Sequence, residues 1–406
     1  MSDRRRYGTG SVYQDARGLW RGTIEAGWTS EGRRRRIWVS AKTKRECLQR
    51  LRDREREIAR QGLPSENGRR TETVKSWGEK WLDVKRHELR PNAYDGARTD
   101  LTKWIIPTIG HRRLDQISAG DVRSVATACF DAGRKGATAE HAQSTLLSLL
   151  NSAVADGLTV APAALATKKV ARNRPDRLAI PLDDALTILA AASTLTDYSR
   201  WGAAFLEGLR PGEARGLTWN HVDLDRHRMD ISWQLQPLPY NRARDRTSGF
   251  RIPRDYEVRQ LWHSYHLVRP KTGAGERWIP LIPWMETALQ EWHRHAPKNE
   301  WGLVWPRADG KPKSDHVEQR EWRDLCDLAQ TAYWDDSTRE GRRWDLYEAR
   351  HTCASLLRQL KVPNDVITAI MGHETIASTE AYIDIDIDQA REALAQVAEK
   401  LQLTNG

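Results

Sequence analysis

Apolar positions recur three or four apart at Leu346, Ala349, Cys353, Leu356, Leu357 and Leu360, the spacing of one buried helix face. This predicts a core helix over 346–360. Pro363 suits the first turn of a second helix over 364–371, and Gly372 is its natural stop. Upstream, 181–191 begins a helix with Asp183 or Asp184 as caps, 201–207 forms a buried helix, and 389–401 carries a last amphipathic one along Ala390, Leu394, Val397 and Leu401. Between them, 227–236 reads as a strand, and 263–269 pairs with 276–281 around a turn at 271–275.

The front of the chain has a different period. Residues 11–14, 19–28 and 33–40 alternate as three short strands with turns at 15–18 and 29–32, and 42–61 follows as a helix with a weak apolar stripe. A polar stretch rich in turn formers comes next, then helical patterns from 74–82 through 94–105, 118–131 and 138–156, enough for a small bundle. Ser118 and Asp121 look like a capping box with Asp for the usual Glu. A short basic segment, 166–178, reads as a second linker. The expected fold is multidomain: a small β-sheet plus helix over 1–62, a linker over 63–73, a helical bundle over 74–165, the linker 166–178, and over 179–406 a mainly α domain with a small β-sheet (α+β).

A chain of 406 residues is too long for one core,. Its net charge of +10 favours an anionic polymer or surface as partner,. Residues 1–62 hold 17 Lys and Arg against 8 Asp and Glu, so most of the surplus sits at the front. Cys47, Cys129, Cys326 and Cys353 are far apart with no metal-ligand spacing, which suits buried free thiols in a reducing compartment. No run approaches the roughly 18 apolar residues of a membrane helix, and the first residues lack an apolar signal core. A soluble intracellular protein without a membrane partner is the expectation. The 18 tryptophans against 3 phenylalanines are accounted for by amphipathic aromatic packing.

Candidate chemistry concentrates late in the chain. Tyr347 and Arg350 lie three apart and project together from one flank of the 346–360 helix. His373 and Tyr382 are separated by nine residues, about 900° on a straight helix, so a turn at 374–378 is needed for both to face one pocket. Arg210 follows a buried helix beside Pro211 and Gly212, where a guanidinium could bind phosphate bidentately and stay charged; taken alone, a surface or capping arginine is the more ordinary reading. Glu213, three residues on, is placed to hold a neighbouring arginine or a helix terminus.

YEARHT and GHETIASTEAY resemble the last two boxes of the tyrosine recombinase (phage integrase) family, close to HxLRHT and GHxxxxxTxxxY. Two further boxes of the family, GLRxGE and PKTxxxxRxIPL, are matched in order by Gly208 to Glu213 and by Pro270, Lys271, Thr272 and Arg277 to Leu281. The resemblance covers 181–397 well. It implies catalysis by Arg210, Lys271, Tyr347, Arg350, His373 and Tyr382: Tyr382 attacks a DNA phosphodiester and forms a 3′-phosphotyrosyl bond, Lys271 is the general acid, and the arginines and His373 stabilise charge on the non-bridging oxygens. That scheme needs no cofactor and no metal, and no acidic cluster of metal-binding spacing competes with it.

The resemblance further implies an arm-type DNA-binding domain at 1–62 and a core-binding domain at 74–165. The arm sheet would offer Arg33 to Arg36 and the aromatics Trp20, Trp28 and Trp38 to a DNA groove. The partners it implies are double-stranded DNA at attachment sites and three further copies in a tetramer on DNA, with room for a DNA-bending or directionality factor. The expected function is integration or excision of a phage or mobile element in a bacterial cytoplasm. A catalytically silent accessory relative and a type IB topoisomerase-like enzyme are the alternatives. One position departs from the family: Tyr347 stands where histidine is usual, and a phenol with a pKa near 10 is a poor base at neutral pH. Base work then falls to water or another group such as His351, and Tyr347 as nucleophile is a second option. The stretch 237–262 has no counterpart in the family pattern and reads as surface elaboration, with DNA contact by its arginines the lesser alternative. The final helix packs either on its own domain or on a neighbouring protomer.

Overall fold

The structure is a computed structural model that describes residues 12–28, 34–61, 72–171, 178–242, 245–331, 333–335, 340–342, 344–372 and 387–403. The chain forms two compact units, Met1–Leu89 with Ala93–Asn173, and Arg174–Gly406 with Arg90–Asn92.

In the first unit, β1 (Val12–Gln14), β2 (Trp20–Trp28) and β3 (Arg34–Ala41) form an antiparallel meander in that order. Its first turn is made by Asp15, whose carboxylate accepts from the backbone N–H of Arg17 at 2.9 Å and of Leu19 at 3.0 Å. Ile24 pairs with Ile37 and Thr23 with Trp38. Helix α1 (Lys44–Gln61) covers one face of the sheet through the buried Cys47 and Leu51. With the strand period of two, Arg34, Arg36 and Trp38 share a solvent face,.

The helical segment comprises α2 (Val74–Glu88), α3 (Pro91–Asp100), a π-helical turn (Leu101–Ile105), α4 (Ile106–Ile109), α5 (Ala119–Asp131), α6 (Gly136–Ala155) and α7 (Pro162–Leu165). The π turn lies just ahead of Pro107, which has no N–H for a regular helical bond,. Ser118 and Asp121 make the expected reciprocal cap, with Asp121 accepting from the Ser118 N–H at 2.9 Å. The core is apolar, built around Trp77, Trp81, Leu101, Ile105, Leu146 and Leu150.

The second unit packs helices around small sheets. It begins with α8 (Leu182–Ala192), α9 (Tyr198–Phe205) and α10 (Pro211–Gly216). Six short strands follow: β4 (Val222–Asp223), β5 (Arg228–Ile231), β6 (Gln234–Pro237), β7 (Val258–Trp262), β8 (Tyr265–Val268) and β9 (Arg277–Pro280). Then come α11 (Pro283–His295), α12 (Asp315–Leu328), the hairpin β10 (Tyr333–Asp335) and β11 (Glu340–Arg342), α13 (Leu346–Gln359), α14 (Asn364–Met371) and α15 (Ile387–Lys400).

Two local expectations are corrected. Asp183 and Asp184 lie in the first turn of α8, whose N-cap is Pro181 without a side-chain bond. The 263–269 and 276–281 segments do not pair with each other. β8 pairs with β6 and β7, whereas β9 pairs with β5. β5 and β6 form one long line broken at Ser232 and Trp233, and β9 and β8 lie antiparallel along it, from Arg228 opposite Pro280 to Pro237 opposite Tyr265. The lysine segment 269–276 therefore bulges from one edge and is not a hairpin tip. β7, from the stretch without a family counterpart, adds the outer strand of the β6-β8-β7 sheet.

Tryptophans supply much of the second core. Trp201 and Phe205 pack on Trp322 at 5.7 and 6.0 Å between ring centroids. Several indoles also reach an acceptor, as Trp292 does at the Val304 carbonyl at 2.6 Å, and so fill volume without orphaning the N–H, whereas the buried Trp201 N–H has no partner among the described residues. A buried ion network ties α9 to α10 and α12: Glu318 takes Arg200 at 2.6 Å and Arg215 at 3.0 Å. The α15 stripe Ala390, Leu394, Val397 and Leu401 is buried in this same core.

Candidate active site

Arg210 is placed by its own helix start. Pro211 occupies the first helical position, where its fixed φ is an advantage, and Arg210 stands just before it in extended conformation. Glu213 closes the turn by accepting from the Arg210 backbone N–H at 2.9 Å and from its Nη1 at 2.6 Å. The other arm of the guanidinium donates to the Gly372 carbonyl at 2.8 Å. Burial alone would lower the Arg210 pKa, yet Glu213 and the adjacent Tyr347 phenol hold it above the usual guanidinium value.

Arg350 comes from α13, whose start is capped by Asp345 and Glu348. It is buried and donates to the carbonyls of Gly208 and Met371. Gly208 has φ +59°, a left-handed turn that favours glycine, and a Cβ there would lie 2.9 Å from the Met371 sulfur and press on that side chain. Desolvation, with Arg210 and Arg277 close by, lowers the Arg350 pKa to about 10.

A third guanidinium completes the arrangement. Arg277 on β9 donates from Nε to the Ile370 carbonyl at 2.8 Å and forks onto Glu213 at 3.2 and 2.9 Å. Three successive carbonyls at the end of α14, those of Ile370, Met371 and Gly372, are thus taken by Arg277, Arg350 and Arg210. The last carbonyls of a helix lack intrahelical donors and carry the negative end of its dipole, so a cationic cap is favourable there. Gly372 leaves the helix at φ +60°, as expected of a terminating glycine. Glu213 answers this positive cluster. Burial would raise its pKa, but Arg277, Arg210 and Arg350 hold it down at about 2.

Tyr347 is half-buried beside Arg210 and Arg350, and the His351 ring lies 5.4 Å from its ring. Arg210, Tyr347 and Arg350 are therefore brought together. Lys271 is exposed on the 269–276 bulge, whose Gly275 carbonyl accepts from Arg277 Nη1 at 3.1 Å. His373 and Tyr382 lie outside the described residues. Two groups beside the site escaped the sequence reading. Arg277 enters the sequence pattern only as part of a box, because nothing in its local sequence ties it to Glu213, 64 residues earlier. Glu207 is buried, and neither carboxylate oxygen has a hydrogen-bond partner among the described residues. Desolvation pushes its pKa well above the usual range, and also carries the nearby Cys353 thiol up to about 12.

Comparison with known proteins agrees with this geometry. The model of the phage integrase family matches residues 179–388, and that of the phage integrase N-terminal SAM-like domain matches 73–126. An integrase from Streptomyces ambofaciens is 28% identical over 94% of this chain and 93% of its own length. Another from Saccharopolyspora erythraea is 24% identical over 96% and 95%. Among solved structures, a Tn1549 transposon integrase in complex with transposon right end DNA aligns with a TM-score of 0.60 at 17% identity, over 80% of this chain and 99% of that one. A lambda integrase tetramer bound to a Holliday junction aligns at 0.55 and 15% identity, over 96% and 97%. With the family model matched over more than half of its length, this chain belongs to the phage integrase family and is a tyrosine recombinase.

Proposed function

We propose that this site-specific recombinase cleaves and rejoins double-stranded DNA at attachment sites through a covalent 3′-phosphotyrosyl bond to Tyr382, integrating or excising a phage or mobile element. The observation that carries this reading is the convergence of Arg210, Arg350 and Tyr347 at the end of α14, directly ahead of 373–382. A phosphodiester seated there meets two guanidiniums whose orientation is held by Glu213 and by backbone carbonyls, so little reorganisation is needed as charge builds on phosphorus. Tyr382 Oη attacks phosphorus as its proton passes to water, the P–O5′ bond breaks, and Lys271 delivers a proton to the leaving O5′. His373 and the Tyr347 hydroxyl donate to the non-bridging oxygens. The protein-DNA bond conserves the energy of the broken ester, and the released 5′-hydroxyl of a partner strand reverses the step.

In this reading 1–62 binds arm-type sites, 74–165 holds the core site, 179–406 performs the chemistry, and 63–73 and 166–178 link them. Four copies assemble on DNA in the bacterial cytoplasm. Among the described residues no helix is long and apolar enough to cross a membrane. A nicked suicide substrate tests the proposal. Wild-type protein is expected to accumulate a covalent adduct that Tyr382→Phe does not form. No adduct with wild type would leave a DNA-binding role only, and relaxation of supercoils without strand exchange would favour a topoisomerase.

A further inference from the structure

We infer that Arg277 is a positioning residue for the recombination reaction, the group through which the lysine bulge, Arg210 and the end of α14 are held in one register; this rests on the roles proposed above for Lys271, Arg210 and Tyr382. Arg277 is 9% exposed, and its bonds go to three different parts of the site. Nε donates to Ile370 at the end of α14, Nη1 to Gly275 in the bulge that carries Lys271, and both terminal nitrogens to Glu213, the carboxylate that fixes Arg210.

Among the described residues no other side chain bonds to the end of α14, the 269–276 bulge and Glu213 together, and the geometry is that of a planar fork. A guanidinium presents five donors in a fixed plane, while an ammonium is a point charge on a flexible stem. Lysine at 277 keeps the charge opposite Glu213 but cannot hold Ile370, Gly275 and both carboxylate oxygens at once. Burial adds to the argument. Arg277 has an exposed neighbour, Trp278, in a strand where the apolar ring would ordinarily face inward and the cation outward,. The inversion places the guanidinium beneath the site.

Arg277 does not touch the reacting phosphate in this scheme, so its effect must run through Lys271 and Arg210. Oxygen and sulfur leaving groups separate those routes. A 5′-bridging phosphorothiolate expels a thiolate that needs no proton donor, so a defect passed through Lys271 shrinks on that substrate. Arg277→Lys is expected to slow single-turnover cleavage of the oxygen substrate about tenfold to a hundredfold, the cost of a small misplacement. Its DNA affinity should stay within about twofold, since no phosphate contact is lost, and the loss should be clearly smaller on the sulfur substrate. Arg277→Gln, neutral and still able to donate to one carbonyl, is the second variant and should show the same ordering, with thermal melting recorded for both. Wild-type rates in either well-folded variant would overturn the inference, as would equal losses on both substrates that follow the fall in melting temperature. Absence of any adduct from wild-type protein on both substrates would instead remove the Tyr382 reading, and this inference with it.

Discussion

Glu213→Gln removes the one carboxylate that two buried or half-buried guanidiniums share. Glu213 is 2% exposed and bonded to Arg210 and Arg277, with Arg350 close by. Two routes give the magnitude. A carboxyl whose pKa falls from 4.5 to about 2 on folding contributes roughly 3 kcal/mol at neutral pH, at about 1.4 kcal/mol per pKa unit. Removing one member of a buried ion pair costs about 3–5 kcal/mol, because the partner charge is left uncompensated. The folded pKa lies below the unfolded one, so this stabilisation is complete above pH 4.5 and is lost as pH falls toward about 2,. Calorimetry of the full chain at several pH values is the assay. The transition of the second unit should fall by roughly 6–12 °C near neutral pH, and the acid-side loss of stability should become shallower in the variant. A transition within about 2 °C of wild type, with an unchanged acid limb, would refute the idea that Glu213 is the counter-charge of this cluster.

Other consequences follow from neighbouring residues. Glu207 keeps its proton in the folded protein at a pH where the unfolded chain has released it, so it weakens the fold as pH rises above the ordinary carboxyl range. Glu207→Met should gain about 1–3 kcal/mol near neutral pH by replacing an unpaired buried group, and melting of the two proteins should converge as pH is lowered; parallel profiles would contradict this. Gly208→Ala should cost about 1–3 kcal/mol in melting experiments from the left-handed backbone and the Met371 contact together,, and an unchanged melting temperature would show that the turn relaxes freely. For Tyr347, the Phe and His variants are compared in single-turnover cleavage: loss with Phe and retention with His assigns a hydrogen-bond donor, while unaltered cleavage by both would mean that the hydroxyl contributes nothing.

Much of this architecture was legible in local sequence. The 346–360 periodicity marked α13 to within a residue, Gly372 marked the end of α14, and Ser118 with Asp121 marked the start of α5, because each depends on spacing within one or two turns. The alternation in 11–40 likewise gave the three strands of the first sheet. Partner choice was less visible. Alternation identifies β8 and β9 as strands, but their separate pairing along β5 and β6 depends on non-local contacts. Arg277 illustrates a similar limit, since its burial is decided by Glu213, which lies 64 residues earlier in the chain. Trp278, by contrast, looks like a core residue in the strand pattern and is instead exposed, with Arg228 stacked on its ring at 4.1 Å. Glu207 gave no signal, because nothing in its local sequence distinguishes an orphaned carboxyl from a solvated one.

The proposed chemistry depends on which phenol carries the DNA. Protease digestion of the trapped covalent complex, followed by mass spectrometry of the nucleotide-bearing peptide, answers this directly. The arginine-capped end of α14 and the role given to Tyr347 as a hydrogen-bond donor predict a 3′-phosphotyrosyl nucleotide on the peptide containing Tyr382. A nucleotide on the peptide containing Tyr347 would contradict the account.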